Sequence, residues 1–109
     1  MIKDTTPVII IRGTTPTLTF NLPFEVSTLE MGFIVIQQGG STVIEKEFSD
    51  CVCSGTSVAA QFTQNETLKL CSHCNAEVSL VVKTLVGERL ETENPIEVVV
   101  YNTSKDGVI

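Results

Sequence analysis

Polar and apolar residues alternate along much of the chain, the two-residue period of a strand with one covered face. In Thr17–Leu22, Leu18, Phe20 and Leu22 point one way while Thr17, Thr19 and Asn21 point the other. Val58, Ala60 and Phe62 repeat this in Thr56–Phe62, and Ala76, Val78, Leu80 and Val82 share a face of Ala76–Leu85, the longest predicted strand. Val8–Arg12 is instead a continuous apolar run ending at Gly13, which predicts a strand buried on both faces. Met31–Gln37 and Thr42–Phe48 flank Gly39-Gly40, a hairpin signal because tight hairpin turns need residues that accept φ > 0. The register of the second arm is ambiguous, since Lys46 shares a face with Ile44 and Phe48.

The remaining segments read as connections and shorter elements. Phe24–Glu30 is a turn with Ser27 as a candidate cap, and Asp50–Gly55 is short and irregular. Thr63-Gln64-Asn65-Glu66 has the capping-box pattern, which predicts a helix of one or two turns. Val86-Gly87-Glu88 turns the chain into Arg89–Glu93, and Pro95 precedes the last strand, Ile96–Tyr101. About seven strands with turn signals every 8–12 residues predict an all-β fold. The expected architecture is an antiparallel β-sandwich, immunoglobulin-like, with one short helical turn near residues 63–70. A small open barrel is the runner-up. At 109 residues with no internal repeat or linker, the whole span 1–109 is expected to form a single β-sandwich domain.

Composition supports strands: 37 of 109 residues are Val, Ile or Thr, against three alanines. The net charge of −6 argues against sequence-independent nucleic-acid binding, which relies on cations that neutralise phosphates. No stretch approaches the roughly 20 apolar residues of a membrane span. Met1–Pro7 lacks the pattern of a signal peptide, so synthesis in the cytoplasm is expected, where structural disulfides are uncommon. The sequons at Asn65 and Asn102 carry little weight in that setting.

Four cysteines form the one constellation with metal-site chemistry. Cys51-Val52-Cys53 and Cys71-Ser72-His73-Cys74 place two thiol pairs seventeen residues apart. Thiolates in two close pairs can hold zinc tetrahedrally, with His73 as a substitute ligand. However, C-x-C is not a zinc-ribbon knuckle, and buried or ordinary thiols account for the same residues. No metal is therefore assigned; Cys51, Cys53, Cys71 and Cys74 stand as zinc candidates behind the ordinary-thiol reading, with disulfides third. A nucleophilic arrangement of His73 with Cys71 or Cys74 would crowd all its groups into one turn, so His73 reads as a turn histidine and no catalytic residue is expected. The glutamate pairs Glu45/Glu47 and Glu91/Glu93 each share a strand face and read as solvated edges. No cofactor site is expected, and the glycines are spaced as turn residues.

Three segments carry a family resemblance: Ile11–Phe20, Thr63–Leu70 and the end Lys105-Asp106-Gly107-Val108-Ile109. They resemble small prophage-encoded proteins of Gram-positive gut bacteria, which are similar to the N-terminal β-sandwich of phage baseplate upper proteins. The resemblance implies a non-enzymatic virion protein of the tail, baseplate, neck or capsid surface, made in the bacterial cytoplasm and located in the virion. It implies an oligomer whose partners are itself and other virion proteins, with no nucleic acid and no membrane. It supplies no catalytic or ligand residues, and the four cysteines depart from it. The alternative is a cysteine-based zinc-binding or redox-sensitive regulatory or binding module.

Overall fold

The structure, a computed structural model, describes residues 8–72, 74–92, 95–105 and 107–109. Among the described residues nine strands form two sheets: β1 (Val8–Ile11), β2 (Thr17–Asn21), β3 (Leu29–Gln38), β4 (Ser41–Glu47), β5 (Val52–Ser54), β6 (Ser57–Gln61), β7 (Ala76–Thr84), β8 (Arg89–Glu91) and β9 (Ile96–Tyr101). The larger sheet has the order β1-β9-β7-β3-β4, with β8 also paired to β7; the smaller has the order β2-β6-β5. The fold is thus mostly β, with two sheets rich in antiparallel pairs. Nine strands stand where the sequence pattern marks about seven, partly because β5 forms within the segment read as irregular.

One core lies between the sheets. Ile10, Ile34, Ile36, Ile44, Val78, Leu80, Val82, Ile96, Val98 and Val100 supply it from the larger sheet, and Phe20, Val58 and Ala60 from the smaller. Every alternation predicted for β2, β6 and β7 places its apolar set on this side. Gly39 and Gly40, at φ 59° and 81°, make the β3–β4 turn with both residues at positive φ, as a tight hairpin of native twist demands. The ladder skips a residue between Ile36 and Gln37, and this bulge lets Ile44 face inward despite the polar start of β4.

Three expectations need correction. β1 is not buried on both faces: it is an edge strand, with Ile9 60% and Ile11 44% exposed. It also runs parallel to β9, so the pairing is not wholly antiparallel. A parallel pair needs a long crossover, and here nearly the whole chain lies between the two strands. Ser27 caps nothing; the 3-10 turn Val26–Thr28 is held by the Thr28 hydroxyl and N–H on the Glu25 carbonyl.

The predicted helix is α1 (Gln64–Leu68), and its capping box is complete: Glu66 N–H donates to Thr63 Oγ1, and Thr63 N–H donates to the Glu66 carboxylate. So short a helix depends on tertiary anchors. Buried Thr67 accepts from Gly13 N–H at 3.0 Å and donates to the Thr14 carbonyl at 2.9 Å. Arg12 follows β1 and closes the other end, donating to the carbonyls of Leu70 (2.6 Å) and Leu68 (3.1 Å) and to Asn102 Oδ1 (2.6 Å). One guanidinium thus ties β1, the end of α1 and the segment after β9 together. Arg12→Ala is expected to lower stability by about 1–2 kcal/mol in urea denaturation, with Arg12→Lys recovering little because an ammonium cannot span three separated acceptors.

Candidate functional site

The feature with most scope for function is the outward face of the larger sheet. From Met31 to Gln37 the odd-numbered residues of β3 point away from the core, whereas Leu29, beyond a register shift, packs against it, and strand register sets their neighbours. Phe33 lies between Glu47 and Val81, Val81 pairs onward with Glu91, and Val35 lies between Glu45 and Ser79. Met31, Phe33, Val35 and Val81 line a shallow concavity of about 790 Å³, with Glu45, Lys83, Arg89 and Glu91 at its polar margin. Nearer β1 the same face carries Val99 beside Ile9 and Tyr101 beside Ile11. Glu77 and Glu97 face each other directly between the two apolar areas.

The charges on this face are unevenly satisfied. Lys83 pairs with Glu30 at 3.5 Å and Arg89 with Glu91 at 3.2 Å. Glu45, Glu77 and Glu97 make no ion pair among the described residues. Like charges directly opposite across strands oppose sheet formation, so the Glu77–Glu97 pair is not explained by the stability of the sheet.

The candidate zinc cysteines are split between two ends of a hairpin. Cys51 follows the 3-10 turn Phe48–Asp50 and donates its thiol to the Glu47 carbonyl at 3.3 Å, while the Cys53 thiol reaches the Phe48 carbonyl at 3.6 Å. At the opposite end, the Gln38 side chain accepts from Cys71 N–H (2.7 Å) and donates to the carbonyls of Cys71 (2.8 Å) and Cys74 (3.0 Å). Gln38 pairs with Ser41, the first residue of β4, and Glu47 is the last. The seven residues between these anchors span roughly 20 Å, whereas zinc–sulfur bonds are about 2.3 Å. A single four-thiolate centre is therefore not assembled here. Among the described residues no group of three His, Cys, Asp or Glu side chains is placed to hold a metal ion. His73 and Glu93 lie outside the described residues. Burial, followed by the neighbouring Cys53, pushes the Cys51 thiol up from its usual 9.0, which disfavours the nucleophilic thiolate.

Lys46, ambiguous in register from sequence, points inward to α1 and to the residue that follows β6. Its Nζ lies 3.1 Å from Glu66 and 5.4 Å from the centre of the Phe62 ring, so the aliphatic stem is covered while the charge is paired. Burial raises the Glu66 pKa, but hydrogen bonds from Thr63 and Lys46 outweigh it and hold the carboxyl below its usual 4.5. A carboxylate depressed in the folded state contributes stability that is present above that usual value and is lost as pH falls through the lowered one. Stability is thus expected to decline on acidification below about pH 4.5, with Glu66→Gln showing a shallower decline in thermal melts across the same range.

The apolar outward face was not anticipated, although its signal was present. Met31–Ile36, Leu80–Val82 and Val98–Val100 are near-continuous apolar runs, the pattern of strands covered on both sides. Alternation identifies the core face and leaves the second face unexplained. The chain matches no protein-family model, and no curated protein sequence is significantly similar to it.

Proposed function

We propose that this chain is a non-enzymatic structural subunit that acts through protein–protein contacts, and that its setting is the virion of a tailed phage. The supporting observation is that β1, β9, β7 and β3 carry apolar residues on both faces while the second sheet covers only one. Met31 at 45% exposure, Tyr101 at 52% and Ile9 at 60% stand on the uncovered side. A partner laid on that side would make these strands what their sequence describes, covered on both faces. The unpaired glutamates around the apolar areas suit a partner that brings basic side chains.

The phage setting rests on the resemblance of Ile11–Phe20, Thr63–Leu70 and residues 105–109 to prophage-encoded proteins. In that reading the paired sheets are an immunoglobulin-like sandwich, and the chain sits in the tail, baseplate, neck or capsid surface with itself and other virion proteins as neighbours. Mass spectrometry of purified particles tests it. The chain should be present in an amount fixed relative to the major capsid protein, and its absence from particles would overturn the proposal.

A further inference from the structure

The outward face of the larger sheet has an acidic border as well as an apolar floor. Strand order sets β3 and β7 side by side, with β4 beyond β3 and with β8 and β9 beyond β7. The two middle strands supply the floor: Met31, Phe33 and Val35 from β3 and Val81 from β7. The flanking strands supply carboxylates. Glu45 and Glu47 stand on β4 beside Val35 and Phe33, Glu91 on β8 beside Val81, and Glu97 on β9 beside Glu77. The outward cations Lys83 and Arg89 are already paired, with Glu30 and Glu91.

This border selects the chemistry of what can lie on the floor. A second copy of the chain would set five glutamates against five, at Glu45, Glu47, Glu77, Glu91 and Glu97. A nucleic acid or an anionic bilayer would bring negative charge of its own. A partner with lysine or arginine at the border is attracted instead, and each pair strengthens as the face is withdrawn from water. The opposition of Glu77 and Glu97, unfavourable while the face is bare, then gives one partner cation two acceptors.

Dimensions select the shape. Three strand spacings separate β4 from β8 and β9, about 14 Å, and the floor from Glu77 to Lys83 is about 20 Å long. A helix with its side chains is about 10–12 Å wide and covers 20 Å in about 14 residues. It also satisfies its own backbone. An extended segment on a sheet face, away from any strand edge, would leave its N–H and C=O groups without ladder partners.

We propose that the outward face of the larger sheet docks an amphipathic helix of a partner protein. Its apolar stripe lies on the β3–β7 floor, and lysine or arginine along its flanks meets Glu45 and Glu47 on one side and Glu77 and Glu97 on the other. This deepens the assembly reading and rests on its claim that the face is covered.

The probe is a synthetic peptide of about 14 residues, with leucines at i, i+3, i+4 and i+7 and lysines beside them. It is titrated into the isotope-labelled full chain and followed by amide NMR shifts. Saturable shifts are expected at Phe33, Val35 and Val81, with Thr19 and Ala59 on the outer face of the smaller sheet unmoved. Glu77→Gln combined with Glu97→Gln relieves an opposed pair of like charges, so its thermal midpoint should stay the same or rise. Its affinity for the peptide should fall about tenfold, an effect that a purely structural role would not produce. The same peptide with glutamate in place of lysine should not bind. No binding at millimolar peptide, shifts confined to another surface, unchanged affinity in the glutamine variant or equal binding of the acidic peptide would each overturn the docking. None of these decides the virion proposal, which stands or falls on the composition of particles.

Discussion

Phe62→Ala is expected to cost about 3–5 kcal/mol, the largest loss from any single truncation considered for this fold. Phe62 is fully buried at the end of β6, where the chain leaves the smaller sheet for α1, and its N–H donates to the Pro16 carbonyl at 2.9 Å. Its ring meets core side chains on one side and the Lys46 ammonium on the other. Removing the ring opens a cavity beneath the Lys46–Glu66 pair, so the ion pair loses its support as well. Phe62→Leu fills most of that volume and should cost far less, losing chiefly the cation–ring contact, worth about 0.5–2 kcal/mol. Urea denaturation with an unchanged m-value is the measurement. A loss below about 1 kcal/mol for the alanine variant would contradict the placement of this side chain.

Gly32→Ala is the second. Gly32 is buried within β3 on the core face, opposite Val82, and its backbone conformation is open to any residue. The obstacle is space: a Cβ there would lie 2.8 Å from Phe48 Cγ and closer still to Phe48 Cδ2 and Cε2. Phe48 is buried in the turn after β4, so its ring cannot swing into solvent without exposing the core. Overpacking of this kind costs about 1–3 kcal/mol, and the rigid ring puts this case at the upper end. Combining Gly32→Ala with Phe48→Leu should recover part of the loss, a coupling that a double-mutant cycle reads directly. Additive costs would show that the methyl and the ring do not meet.

Much of the fold was legible because one periodicity dominated. Where β2, β6 and β7 alternate cleanly, the buried face follows from sequence, and the Gly-Gly turn and the Thr63–Glu66 capping box are local patterns that need no tertiary knowledge. β1 was misread because an unbroken apolar run has the same appearance whether a second layer covers it or a partner is still to arrive. Lys46 confused the register because a lysine can share an inward face when its charge is paired and its stem covered, and its partner, Glu66, lies twenty residues on. The cysteine candidates failed for a related reason. Spacing records how many residues separate two pairs, whereas the length and direction of β4 decide whether they meet.

The outward face of the larger sheet is the centre of this account, and hydroxyl-radical footprinting of the chain, alone and in purified particles, tests it most directly. The account predicts that Met31, Phe33 and Tyr101 are labelled in the isolated chain and protected in the particle, while Leu85 and Val86, exposed in the β7–β8 turn, react equally in both. Equal labelling of Met31, Phe33 and Tyr101 in the two states would contradict it.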